Sequence, residues 1–247
     1  MSLKNILIKN FLTYKLYLYY NLYIRNKGYR KREKYSQWGE DTFIKNFFKN
    51  KNKGFYVDIG CFHPIMYSNT CLLHNNGWSG VNIDLNQTSI DLFKIARPND
   101  YNICSAISNQ VEECDLYFDH NFSPVNTLEK KFYESSDKKK AFKKLVKRRI
   151  TTQTFDLIIK NISDLPKINF LNIDCEGYDF TALESFNIKK YMPDLVCMET
   201  HDAKGVAVSE YEKILNLFKI NNYVLIERFG ASSFFKSNIQ QGHDQKV

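Results

Sequence analysis

Residues Gly54 to Pro64 read "GFYVDIGCFHP", and this stretch decides the fold. Phe55 to Ile59 form an apolar run rich in β-formers, so they read as a buried strand. Gly60 then opens a turn. A turn that cradles a pyrophosphate needs close backbone approach, and several glycines supply it. Here Cys61, Phe62 and His63 crowd the place, and Asp58 would repel a phosphate. One turn glycine and one acid suit a cationic ligand better.

Outward from this strand, apolar runs and helical patterns alternate. "NTCLLHNNGW" reads as a helix ending near Gly77, "SGVNIDLN" as a strand, and "QTSIDLFKIARP" as a helix stopped by Pro98. "YNICSAIS" is a third strand, and "CDLYFD" fits an edge. "INFLNIDCEGYD" and "DLVCMETHD" are further strands, with "FTALESFNIKKYM" and "SEYEKILNLFKINN" as helices. "YVLIERF" and "SSFFKSN" flank Gly230 and predict a closing hairpin. Upstream, Phe43, Ile44, Phe47 and Phe48 recur at helical spacing, with Ser36 or Asp41 as the start. Such alternation predicts an α/β fold, a mostly parallel sheet with helices on both faces and an antiparallel edge strand.

Ligands of such sheets bind beyond the carboxyl ends of the strands. The residues expected there are Asp58 and Gly60, Asp84 and Asn86, Ser105, Asp174 and Glu176, and Glu199 and His201. Twenty-six residues separate Asp58 from Asp84, which accommodates strand, turn, helix and strand. A strand-end acid at Asp84 accepts hydrogen bonds from ribose hydroxyls. S-adenosylmethionine fits both features. It has no phosphate, and its ammonium and sulfonium suit the carboxylates.

Several blocks together resemble the FkbM family of S-adenosylmethionine-dependent methyltransferases. They are "SQWGED", "FYVDIGCFHPIMYSNTCLLHNNGWSGVNIDLN", "FLNIDCEGYDFTALESF" and "CMETH", spread from about Ser36 to His201. The resemblance implies a class I, Rossmann-like methyltransferase with a seven-stranded sheet, acting by O-methylation, often on sugars or natural products. It places Gln37, Asp58, Gly60, Ser68, Asn69 and Asp84 at the cofactor, and Asp174, Glu176 and Gly177 beside the reacting methyl. Cys61 stands where the family commonly has a small residue.

For the chemistry, His201 is the expected general base, with Asp174 and Glu176 at the acceptor hydroxyl. Asp174, Glu199 and His201 could also hold a divalent metal such as Mg or Mn, since hard cations take oxygen ligands. His63 is a candidate for acceptor contact or a structural role. The expected acceptor is an anionic sugar, such as a nucleotide-activated sugar or polysaccharide precursor. The lysine-rich stretch near residues 128–150 could then act as a lid, with Lys143, Lys144 and Arg148 on its phosphates. Two other readings compete. One is a metal-dependent glycosyltransferase built on Asp174 and Glu176. The other is an RNA-binding or RNA-modifying protein, although no nucleic-acid motif is present and no such partner is expected.

The net charge of +8 points to an anionic partner. Residues 1–35 read as a helical, basic, Tyr-rich arm, and residues 36–247 as one methyltransferase domain. The arm is too interrupted by Lys4, Lys9 and Lys15 to be a transmembrane span. It suits packing on the domain, a homodimer contact or a membrane surface. None of the six cysteines forms a CxxC pair, so reduced thiols in a cytoplasmic protein are expected, with Cys104, Cys175 and Cys197 as core residues.

Overall fold

The computed structural model describes residues 11–118, 128 and 146–238. Helix α1 (Phe11–Tyr19) runs into a π-helical turn (Tyr20–Arg25) and the short α2 (Lys27–Arg30). Then come α3 (Glu40–Phe47), β1 (Phe55–Ile59), α4 (Cys71–Asn75), β2 (Ser79–Asp84), α5 (Gln87–Ala96), β3 (Tyr101–Cys104) and β4 (Ala106–Ile107). The chain continues through β5 (Glu113–Phe118), β6 (Val146–Gln153), α6 (Phe155–Ile158), β7 (Phe170–Ile173), α7 (Asp179–Ser185), α8 (Ile188–Tyr191) and β8 (Leu195–Glu199). It closes with α9 (Tyr211–Ile220), β9 (Tyr223–Phe229) and β10 (Ser232–Ser237).

Seven strands form the central sheet, in the order β3-β2-β1-β7-β8-β10-β9. All neighbouring pairs from β3 to β8 are parallel. Strand β10 is antiparallel to both β8 and β9. The closing hairpin thus places its antiparallel member one position in from the edge. A small second sheet, β4-β6-β5, lies beside the first. Its strand β6 takes up residues 146–153, so the basic run that includes Arg148 is an exposed strand there. Lys143, Lys144 and the expected lid lie outside the described residues.

Strand alternation sends successive side chains to opposite faces. Val57, Ile59, Leu171, Ile173, Val196 and Met198 pack on one face against Phe155, Leu183, Ile214 and Phe218 from α6, α7 and α9. Tyr56, Phe170, Leu195 and Cys197 pack on the other, against Ile44, Leu73 and Trp78. Both faces are therefore covered, as a parallel sheet requires. The helix expected over Phe180 to Met192 is two helices. Phe186 turns inward, and the Asn187 side chain caps α8 by accepting from Lys190 N–H at 3.1 Å. Cys104, expected in the core, is exposed on edge strand β3, while Cys61, Cys71 and Cys197 are buried.

The second face carries an unexpected polar row. Asn102, Asn82, Asp58, Asn172 and Cys197 pair in register across five strands. Asn172 Nδ2–H donates to Asp58 Oδ1 at 2.9 Å, and Asn82 Nδ2–H donates to Asn102 Oδ1 at 2.8 Å. A buried cation completes the network. Arg97, only 1% exposed, donates to Tyr56 Oη, Thr70 Oγ1, Ser68 Oγ and the Pro64 carbonyl at 2.6–3.1 Å. Thr70 in turn donates to Asp58 Oδ2 at 2.7 Å, and Tyr56 donates to Asp100 Oδ2 at 2.5 Å. Arg97 also stacks over the Phe93 ring at 4.8 Å.

The arm docks by one side onto α5. Tyr17, Leu18 and Leu22 pack with Leu92. Tyr14 Oη–H donates to Asp91 Oδ2 at 2.8 Å.

Removing a buried charge from a paired network costs about 3–5 kcal/mol. Arg97→Leu should therefore lower the unfolding free energy by about that amount, read as a lower urea midpoint. An unchanged midpoint would show that the guanidinium does not hold the sheet to the Pro64–Thr70 loop.

Candidate active site

Strand order reverses at β1, whose two neighbours β2 and β7 lead away on opposite sides. That switch point is where such sheets bind ligands. A cleft of about 580 Å³, counted with its open mouth, sits there. Among the expected residues it is lined by Gly60, Asp84, Ser105, Asp174 and Glu176. Ile83, Leu85, Ile107, Leu128 and Tyr178 add apolar wall. A larger open groove lies at the opposite pole, before β7 and β8. Its Lys190 and Lys167 are paired to Asp156 and Asp194 at 2.9 and 2.8 Å.

Gly60 is required by a close approach. It has φ +79°, and a Cβ there would stand 1.8 Å from the Asp174 carbonyl oxygen. Its N–H donates to Ile83 O at 2.9 Å, while Asp174 N–H donates to Ile59 O at 2.9 Å. The ends of β1, β2 and β7 are thereby drawn together. Phe62 holds φ +47°, and its N–H donates to Asp84 Oδ2 at 2.8 Å. Asn86 N–H donates to Asp84 Oδ1 at 2.7 Å. Asp84 is thus fixed by two backbone donors, and burial pushes its carboxyl up to about 6.

Other expected residues stand behind this surface. Asp58 is 2% exposed, and both its oxygens are taken, by Thr70 and Asn172. It supports the turn from beneath and does not line the cleft. Burial pushes its carboxyl up, and Thr70, Asn172 and Arg97 pull it back. Ser68 accepts from Arg97, and Asn69 Nδ2–H donates to Asn172 Oδ1 at 2.9 Å. Asn86 is the N-cap of α5, its Oδ1 accepting from Thr88 N–H at 2.9 Å. Gln37 is exposed on the loop before α3. His63 belongs to the fold: its Nδ1 accepts from the Ile65 and Met66 N–H groups, and Nε2 meets Asn21 Oδ1 at 3.1 Å, so both ring nitrogens are engaged in a fully buried ring. Burial pushes its pKa down to about 3, so it stays neutral.

At the end of β7 the carboxylates gather. One oxygen each from Asp174, Asp179 and Glu199 lies within 4.8 Å of the others. Asp174 and Glu199 meet as the sequence suggested. His201 is not in the group, and Asp179 takes its place. Asp179 Oδ1 and Oδ2 accept from the Cys175 and Gly177 N–H groups at 2.8 and 3.1 Å. Burial pushes its carboxyl up to about 7. Burial, then Glu199, pushes Asp174 well above the carboxylate range. Glu176 sits at φ +51°, a left-handed conformation that non-glycine residues adopt at a cost of about 1–3 kcal/mol. Such strain clusters at functional sites.

His201 lies beyond β8, outside the described lining. Its Nδ1 meets Thr200 Oγ1 at 2.8 Å, and its ring packs edge-on to Tyr211 at 5.0 Å. Burial, then Arg228, lowers its pKa, so the imidazole is neutral.

The donor set can be tested against S-adenosylmethionine. No Lys or Arg occurs among the described lining residues, whereas Asp84, Asp174 and Glu176 do. Such a wall disfavours a phosphate and suits a sulfonium and an ammonium. The apolar wall suits a purine, and Asp84 and Ser105 suit ribose hydroxyls.

A protein-family model described as the methyltransferase FkbM domain matches residues 51–225. That span contains every described residue lining the cleft. No curated protein and no solved structure matches the chain significantly.

Gly60→Ala should displace the end of β7 and lower S-adenosylhomocysteine affinity by at least 10-fold in isothermal titration. Wild-type affinity in this variant would show that the close approach does not shape the cleft.

Proposed function

This chain belongs to the FkbM methyltransferase family, and from that premise we propose that it O-methylates a sugar hydroxyl with S-adenosylmethionine as donor. The acceptor we favour is a nucleotide-activated sugar or a polysaccharide precursor. The observation that carries the reading is the cleft at the switch point, acidic and without a described cation. S-adenosylmethionine supplies an electrophilic methyl on a sulfonium.

Asp84 accepts from the ribose hydroxyls, held in place by Phe62 and Asn86. Ser105 stands beside it just past the end of β3, its N–H donating to the Asp84 carbonyl at 3.0 Å. Gly60 lets the backbone approach, while Asp58, Ser68 and Asn69 fix the turn from behind. Asp174 and Glu176 orient the acceptor hydroxyl. In-line displacement would depend on holding the hydroxyl oxygen, the methyl and the sulfur in one line, which this alignment serves. A sugar hydroxyl also needs a base. Asp174 lines the cleft and His201 does not, so we assign it that role ahead of His201. A divalent metal at Asp174, Asp179 and Glu199 would lower the hydroxyl's pKa instead.

The glycosyltransferase reading leaves Gly60 and Asp84 without a role, and the RNA reading has no motif behind it. Methyl transfer is the chemistry of the matched family.

Asp84→Ala should weaken S-adenosylhomocysteine binding about 10–100-fold, the equivalent of a charge-assisted hydrogen bond. The pH dependence follows from the Asp84 pKa of about 6. Above it the ionised carboxylate accepts from ribose; below it the proton competes. Affinity should therefore fall as pH drops through about 6, and the fall should vanish in Asp84→Asn.

Screening sugar nucleotides for a mass gain of one methyl identifies the acceptor. With it in hand, Asp174→Asn should lower kcat about 10²–10⁴-fold, well beyond any loss of cofactor affinity. If His201→Ala is instead the more damaging change, His201 is the base. Activity lost on EDTA treatment and restored by Mg or Mn would add the metal.

A further inference from the structure

The arm is apolar on two sides. Its inner side packs on α5, as described. Its outer side exposes Leu16, Tyr19, Tyr20, Tyr23 and Ile24, with Leu16 at 65% and Ile24 at 58% exposure. The positions step by three, one, three and one, which is a continuous helical stripe. Tyr19 and Tyr23 stack along it at 5.8 Å. A helix serving only the core would be polar here.

Charge identifies what covers the stripe. Residues 1–32 contain eight Lys and Arg and no Asp or Glu. The remaining 27 Lys and Arg balance all 27 Asp and Glu, so the entire net charge of +8 belongs to this segment. Lys15, Arg25, Lys27, Lys31 and Arg32 are exposed along and just beyond the stripe. Arg30 stacks over Tyr23 at 4.7 Å, and Arg32 over Tyr29 at 4.2 Å.

We propose that the arm binds the surface of an anionic membrane, with the stripe seated at the headgroup boundary and the cations on lipid phosphates. An aliphatic and tyrosine ridge rimmed by Lys and Arg matches an interfacial helix. The cations of residues 1–32 gain from a negative surface. A second copy docked on the same stripe would bring two such cationic segments together, which is repulsive. Nucleic acid would match the cations and leave Leu16 and Ile24 uncovered. Among the described residues, no helix is long and apolar enough to cross a membrane.

The attachment connects to the cleft through packing. Phe62 lines the cleft and packs against the Tyr17, Leu18, Leu22 and Leu92 cluster. Asn21 of the arm holds His63, the next residue. The arm that would meet lipid is therefore the same element that backs the cofactor turn.

The full chain should be tested by vesicle flotation. Phosphatidylcholine vesicles containing phosphatidylglycerol should carry it, and pure phosphatidylcholine should carry at least 10-fold less. Raising salt to 1 M should release much of it, since the Debye length then falls to about 3 Å. Leu16→Asp with Ile24→Asp should reduce flotation at least 10-fold while S-adenosylhomocysteine affinity and thermal unfolding stay as in the wild type. Absence of flotation with anionic vesicles at low salt overturns the proposal, as does full flotation of the double variant. A dimer in light scattering that the double variant abolishes assigns the stripe to a second copy and overturns it as well.

Discussion

A guanidinium without access to water holds this molecule together. Arg97 carries its charge into a sheet face where Asp58 and Asp100 are also buried. A lone charge there would be prohibitively desolvated. With four acceptors and two nearby carboxylates, it instead becomes a hub. Through Ser68, Thr70 and the Pro64 carbonyl it fixes the loop that follows the β1 turn. Through Thr70 it reaches Asp58, and through Tyr56 it reaches Asp100. Asn82 and Gly80 then donate to Asp100 from the neighbouring strand, at 3.0 and 3.1 Å. The register of β1 against β2 and β7 is thus written in polar contacts on one face and apolar packing on the other.

That hub changes what the first acid means. Asp58 reads in sequence as a ligand for a cation, and in the structure its cation is Arg97. The acids left facing the cleft are Asp84, Asp174 and Glu176. They reach it from two strands beside β1, because Gly60 allows the Asp174 carbonyl to come where a side chain would stand. Position on a strand end and access to the cleft are therefore different properties. Strand ends can be read from alternation, whereas access depends on which partner claims each carboxylate.

The alternation of strands and helices, the hairpin around Gly230 and the family resemblance were all legible, because each rests on local periodicity or a contiguous block. Arg97 was not. Beside Pro98 it reads as an ordinary basic residue at a helix end, and its burial is a tertiary event. Asp179 was missed for a similar reason, since its role is to accept from Cys175 and Gly177 in a turn that only the fold defines. One signal was available. "YVDIG", "GVNID" and "FLNID" each place a polar residue within an apolar strand, and aligned in parallel they predict the row of Asn82, Asp58 and Asn172. His63 was legible as a histidine in a turn, but the Asn21 contact that buries it comes from 42 positions away.

The charge distribution also resolves differently from composition alone. A net charge of +8 invites the thought of an anionic substrate in a basic cleft. The described cleft is acidic, and the excess charge lies in residues 1–32. These two regions have opposite electrostatic tasks. Carboxylates crowded at a cleft are relieved by a cationic ligand, because its charge offsets their mutual repulsion. Cations along an exposed apolar stripe gain from an anionic surface outside the protein. The arm carries the cations and the ends of β2 and β7 carry the carboxylates, with the turn residues Phe62 and His63 between them. The arm's inner contacts then do two things at once. They bury His63 as a neutral group behind the turn that follows β1, and they hold the outer stripe in a fixed orientation.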